Sequence, residues 1–125
     1  MNLVLDAGAL VGIDRDDRRT AGLIELGRRS GAVLVTTAPV VGQAWRGAAR
    51  QARLARLLAM FDVRPAHLTQ ARAAGELLAA TGTADVVDAL LALLPVSGDQ
   101  LLTSEPDDVR TLLIERRIPV TIVAV

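Results

Sequence analysis

The sequence predicts a single α/β domain, residues 1–125, with a parallel central sheet flanked by helices. Three observations carry that expectation. The apolar runs at residues 2–6, 32–36, 100–103 and 120–125 are almost uniformly hydrophobic instead of alternating, as strands covered on both faces require. Segments of helical period separate them, the pattern of a sheet wound with crossover helices. A chain of 125 residues that is 51% hydrophobic has room for one domain and one core. Folding removes roughly two thirds of its extended surface from water, enough to hold without staples.

The elements follow in order. Residues 2–6 (NLVLD) read as a buried strand ending in an acid. Residues 14–29 place Ala21, Leu23, Ile24 and Leu26 on a helical period, and Ser30-Gly31 closes that helix. Residues 32–36 (AVLVT) form a second strand. Pro39 can open a helix at its first turn, and residues 40–60 follow as helix, with Gly47 the point where it can break. Residues 61–64 are a brief strand. Residues 69–80 form a helix stopped by Thr81-Gly82, and Thr83 caps the next, residues 84–94. A strand at 100–103, a helix at 107–117 and a strand at 120–125 complete the chain.

Composition excludes several chemistries. The chain has no cysteine, which removes disulfides, thiolate zinc sites and cysteine nucleophiles together. Its one histidine argues against a Ser-His-Asp relay or a multi-histidine metal site. Trp45 and Phe61 are the only aromatic residues, too few for a surface that stacks bases on rings. No apolar run reaches the roughly 18 residues of a membrane span, and no basic leader precedes the first apolar stretch, so a soluble cytoplasmic protein is expected. There is neither a GxxxxGK[ST] loop nor a GxGxxG after a strand.

Fourteen acids balance fourteen bases, all arginine, but the signs are segregated. Six arginines (46, 50, 53, 56, 64 and 72) face one acid, Asp62, between residues 46 and 72; residues 73–109 hold seven acids and no base. Such a chain either folds the two together or keeps them for different ligands.

In an open parallel sheet, function gathers outside the carboxyl ends of the strands. Asp6 ends the first strand, and Glu105 follows the strand at 100–103. Asp85 and Asp88 lie three apart near the start of a helix and share one face. Asp88 is flanked by Val86, Val87, Ala89, Leu90 and Leu91, where an unpaired carboxylate is costly to desolvate and a cation would relieve the conflict. If these segments converge, Asp6, Asp85, Asp88 and Glu105 surround an oxygen-lined hole. Oxygen ligands without histidine or cysteine suit Mg²⁺ or Mn²⁺, the usual ions of phosphodiester chemistry.

Each residue also has a plainer reading. Asp6 could open a turn and Asp85 could be a helix cap. Asp107 and Asp108 follow Pro106 and read as first-turn acids. Arg46, Arg50 and Arg53 fall on one predicted helical face, a solvated stripe whose spacing also suits RNA phosphates. His67 reads as structural or exposed, and Trp45 as a packing residue.

The stretches NLVLDAGALVGID, VVGQAWRGAARQARLARLL, GTADVVDALLALL and LLTSEPDDVRTLL, in this order along nearly the whole chain, together resemble the PIN-domain family, in particular VapC-type toxins of bacterial toxin–antitoxin pairs. The resemblance implies a compact α/β, Mg²⁺- or Mn²⁺-dependent endoribonuclease that hydrolyses RNA, forms a dimer and is neutralised by a small cognate antitoxin. Asp6 then matches the first family acid and Asp88 the third, with Asp85 accompanying it. Glu105 stands for an aspartate in a Thr-Ser-Asp-Pro-like segment. Gln43, before Ala44-Trp45-Arg46-Gly47, stands where the family has a glutamate, and so becomes a neutral group beside the metal. A glutamine carbonyl brings no charge to a site whose affinity is mainly electrostatic.

Three readings follow: a metal-dependent ribonuclease toxin; a PIN-like domain with weak or no nuclease activity that binds RNA or protein, for which Gln43 argues; and a parallel-sheet domain whose acids are only caps and turns. Leu54, Leu57, Leu58 and Met60 exceed what one helix face needs, leaving apolar surface for a dimer or an antitoxin.

Overall fold

β1 (Asn2–Leu5) is the middle strand of a five-stranded sheet in the computed structural model, which describes all of residues 1–125. Around it lie β2 (Val33–Thr37), β3 (Asp62–Arg64), β4 (Gln100–Thr103) and β5 (Thr121–Ala124) in the order β3-β2-β1-β4-β5, every pairing parallel. Leu3, Val4 and Leu5 are all buried, as are Leu101 and Leu102 beside them, which is why these strands read as unbroken apolar runs.

Helices α1 (Ala7–Asp14), α2 (Arg18–Arg29), α3 (Ala38–Ala44) and α4 (Ala52–Leu58) connect β1, β2 and β3 and pack around α1. Helices α5 (Leu68–Thr81), α6 (Val86–Ala92) and α7 (Pro106–Arg116) pack on one another along the connections to β4 and β5. Because parallel crossovers are right-handed, the reversal of direction after β3 puts these two groups on opposite faces. The reversal also leaves a crevice between the carboxyl ends of β1 and β4, where Asp6 and Glu105 stand.

The expected α/β class holds, and the differences lie inside the helical segments. Residues 7–13, for which the sequence pattern predicts no element, form α1 together with Asp14, opened by Asp6: its Oδ1 accepts the Ala9 N–H at 2.8 Å. The helix expected over 14–29 therefore begins at Arg18, after Asp16 takes a left-handed φ of 57° and Asp17 caps α2 through Thr20. The helix expected over 40–60 is broken as Gly47 suggested. Gly47 has φ 73°, and an extended stretch and a 3₁₀ turn (Ala49–Gln51) separate α3 from α4. Gln51, 1% exposed, organises that break: its Oε1 accepts the Arg46 and Gly47 N–H groups, and its Nε2 donates to the Ala44 carbonyl. The α5 helix ends at Gly82 in the left-handed conformation, as expected, but the cap of α6 is Asp85 rather than Thr83.

Asp99 pins the start of β1 to the approach to β4. Its carboxylate accepts the Asn2 N–H at 2.8 Å, the Asn2 side-chain amide at 3.1 Å and the Val96 N–H at 2.9 Å. Burial works against its charge, yet these donors and the nearby N-terminus hold its carboxyl below the usual range.

Candidate functional site

The crevice between β1 and β4 is built by three local choices of backbone. Asp6 leaves β1 in extended conformation and turns at once into α1, which fixes its side chain by the cap to Ala9. Its other oxygen, Oδ2, accepts the Thr103 hydroxyl at 2.6 Å and the Ser104 N–H at 3.0 Å. Glu105 leaves β4 at the mouth of α7, its N–H donated to Thr103 Oγ1 at 2.9 Å. The third contribution comes from α6, whose first turn carries Asp88, while Asp85 Oδ1 accepts the Asp88 N–H at 3.0 Å.

These residues meet. A cavity of about 110 Å³ is lined by Asp6, Asp85, Asp88 and Glu105 together with Gln43 and Ser104. Asp6 is 7% exposed, and Asp88 is half-buried. Burial and then the charges of Asp85, Glu105, Asp6 and Asp108 push the Asp88 carboxyl up to about 6. The Glu105 carboxyl is raised too, first by its side-chain hydrogen bond with Asp108, then by burial and the surrounding acids. No arginine offsets this charge: Asp6, Asp85, Asp88, Glu105 and Asp108 take part in no ion pair. The segregation of signs along the chain is therefore kept in three dimensions.

Asp108 is the residue that sequence reasoning passed over. Taken as a first-turn acid of α7, it is one, but Asp88, Glu105 and Asp108 each offer an oxygen within 4.8 Å of the others. The three-residue spacing from Glu105 was the available signal, since it places both acids on one side of the α7 entrance. Gly8 was passed over as well. A Cβ there would lie 2.0 Å from Ser104 Oγ and 2.4 Å from Ser104 Cβ, so its bare backbone lets α1 close against the end of β4.

The donor set fits a hard divalent cation: carboxylate oxygens, one amide and one hydroxyl, with no softer ligand. Asp85 has one oxygen committed to its cap and the other left for the cavity. Gln43, near the end of α3, faces the same space as a neutral wall.

The three arginines do not share a helical face, because the helix that would have aligned them is broken. Arg46 lies in the extended stretch and donates to the Gly42 and Trp45 carbonyls. Arg50, in the 3₁₀ turn, pairs with Asp14 at 2.8 Å, and Arg53, in α4, with Asp16 at 3.5 Å. None lines the acidic cavity. Trp45, expected to pack, is 39% exposed. Of the apolar residues expected to be in surplus, Leu54 and Leu57 are buried in the core and only Met60 is exposed.

The chain is an open parallel sheet with acids converging at the point where its strand order reverses, as in PIN-like folds. A chain of the VapBC2 complex from Rickettsia felis, solved bound to a DNA fragment from its promoter, shares this fold: TM-score 0.65, 98% of this chain and 99% of that chain covered, 13% sequence identity. The likeness bears out the PIN-like α/β fold that the sequence resemblance implied. No family model matches the sequence, and no curated protein does. No helix is long and apolar enough to cross a membrane.

Proposed function

We propose that the chain is a metal-dependent endoribonuclease of the toxin–antitoxin type. The observation that supports this most is the meeting of Asp6, Asp85, Asp88 and Glu105, distant in sequence, around one small cavity with no basic residue to neutralise them. In this reading Asp6, Asp88 and Glu105, with the free oxygen of Asp85, hold Mg²⁺ or Mn²⁺. Such an ion, when bound, supplies charge stabilisation to a phosphodiester under attack and raises the acidity of water.

The chain's own residues do the rest. Thr103 and the Ser104 N–H fix one oxygen of Asp6, and the α1 cap fixes the other, so that carboxylate has a single orientation. Asp88 stands near 6 without an ion, so binding the cation requires it to give up its proton, which ties occupancy of the site to pH. Gln43 can hydrogen-bond a water or a phosphate oxygen without adding charge. Of the three arginines Arg46 alone makes no ion pair, so its remaining donors can meet an RNA phosphate; Arg50 and Arg53 do so only by sharing charge with Asp14 and Asp16.

For a partner, the groove between α2 and α4 has an apolar floor of Ile13, Ile24 and Leu57 and carries three arginines, Arg28, Arg53 and Arg56, against one acid, Glu25, which pairs with Arg28. It suits an acidic amphipathic segment of a small antitoxin; the Rickettsia felis neighbour comes from a VapBC complex. A homodimer in the cytoplasm completes this reading.

A second reading, a PIN-like module that binds RNA or protein and cleaves weakly or not at all, draws on Gln43, which places an amide where a fifth acid of the cavity would stand. One assay separates the two. Purified protein with Mn²⁺ should cleave RNA, EDTA should stop it, and Asp88→Asn should lower the rate by about 100-fold or more. Equal rates for the variant and the natural protein would end the nuclease reading; tight RNA binding without cleavage would favour the second.

A further inference from the structure

We infer that a cavity on the other side of α6 receives one unpaired nucleotide of an RNA strand, an inference that rests on the ribonuclease reading and names where the strand continues from the cleavage site. The cavity measures about 290 Å³, just under the roughly 300 Å³ at which small-molecule pockets begin. It sits at the carboxyl edge of the sheet, where ligands gather in open α/β folds: Thr37 and Arg64 are the last residues of β2 and β3.

Its walls have the chemistry of a nucleotide. Leu90 and Leu93 give an apolar surface for the face of a base, while Arg64, His67 and Gln70 surround it with polar groups. Gln70 uses its Oε1 to accept the His67 N–H at 3.2 Å, which leaves its amide nitrogen to donate to a base edge. Arg64 engages Asp62 through Nε alone, at 3.1 Å, leaving its terminal nitrogens for a phosphate. With two leucines where ring-stacking modules place aromatics, selectivity falls on the hydrogen bonds to the base edge, the usual means of reading unstacked RNA.

The two cavities are neighbours through shared elements. Asp88 of α6 lines the acidic one and Leu90, two residues on, lines this one; Thr37 caps α3 through Val40 at 3.2 Å, and Val40 in turn lines the acidic cavity. A strand with its phosphodiester at the acids can thus continue along α3 and α6 and place an unpaired nucleotide against Leu90 and Leu93, in the second half of α6 and at its end.

His67 is the chain's one histidine, so its imidazole gives a single, unambiguous NMR signal. The test is a titration of the whole protein in EDTA with AMP, CMP, GMP and UMP in turn, following that signal. At least one nucleotide should shift it saturably. Gln70→Glu, which keeps the acceptor for the His67 N–H and removes the donor, should weaken that binding about tenfold or more, as should Arg64→Ala. No saturable shift with any of the four, or an unchanged affinity in both variants, overturns the inference, as does a shift that follows protein concentration alone, which would make this face a contact between two copies. Because the titration needs no ion, nucleotide binding in EDTA together with no cleavage in the separate Mn²⁺ assay would leave this cavity standing and sink the nuclease reading; cleavage with Mn²⁺ but no nucleotide binding would do the reverse.

Discussion

Thr103 donates its hydroxyl proton to Asp6 Oδ2 across 2.6 Å and, with the same oxygen, accepts the Glu105 N–H at 2.9 Å. One fully buried hydroxyl therefore sets both the acid at the end of β1 and the backbone that carries the acid after β4. Thr103→Val keeps the shape and removes both bonds, leaving Asp6 Oδ2 with the Ser104 N–H alone. The expected loss is about 1–3 kcal/mol of stability, measured by urea unfolding, with a fall in Mn²⁺ affinity by calorimetry. Thr103→Ser should restore most of both. A valine variant that binds Mn²⁺ as tightly as the natural protein would show that the hydroxyl does not orient Asp6.

Gly8 offers a test in which two principles predict opposite signs. Helix propensity alone makes Gly→Ala in α1 stabilising by up to about 1 kcal/mol. The Cβ would, however, stand 2.4 Å from Ser104 Cβ, an atom that no side-chain rotation can move aside. Overpacking should win, with Gly8→Ala destabilising by about 1–3 kcal/mol. Adding Ser104→Gly should recover stability, a coupling that a double-mutant cycle reads directly. Two independent, additive effects would mean that the helix simply shifts to make room.

The sheet was legible because its strands are buried on both faces and so carry no other pattern; four of the five strands fall within a residue or two of the apolar runs, and the brief strand at 61–64 is found at β3. What was not legible lies where a polar residue caps a helix from outside it. Asp6 ends the strand as expected, but its side chain also begins α1; of the two caps the sequence offers for the next helix, Thr83 and Asp85, the structure uses Asp85. The break after α3 could be placed at Gly47, but the buried amide of Gln51 that holds it open has no local signature, since its partners Arg46 and Gly47 come four or five residues earlier in the chain. The site was legible in outline for a different reason: carboxylates at strand ends have few structural uses. Asp108 escaped because a first-turn acid is already accounted for by the helix dipole.

Gln43 tests how far charge alone governs the site. It lines the cavity that Asp6, Asp85, Asp88 and Glu105 share. Gln43→Glu adds one negative charge at nearly constant volume, and should raise Mn²⁺ affinity by about tenfold or more, the effect of a nearby unit charge at intermediate dielectric. Without the ion the same variant should be less stable, because the added carboxylate repels those already there. Calorimetry and thermal unfolding in EDTA check the two signs. An affinity that does not rise would place the cation away from α3, toward Asp108.

The acid raised highest gives the pH dependence its sign. Asp88 has an ordinary value of 3.8 and stands at about 6 in the folded chain, through burial first and then Asp85, Glu105, Asp6 and Asp108. A carboxyl that holds its proton more tightly when folded stabilises the fold while protonated in both states, below about 4, and loses that contribution as pH rises through about 6. Asp99 acts in the opposite sense: its lowered carboxyl stabilises the fold above the unfolded value and is lost as pH falls through the folded one. In EDTA the melting temperature should therefore fall between pH 4 and 7 relative to that of Asp88→Asn, whose profile lacks the Asp88 contribution. With saturating Mn²⁺ the decline should vanish, because an ion bound to the carboxylate favours the ionised form. Binding near pH 5.5 should then release close to one proton from Asp88, read as a buffer-dependent heat in calorimetry. A binding heat independent of the buffer would mean that Asp88 keeps its proton and does not hold the ion.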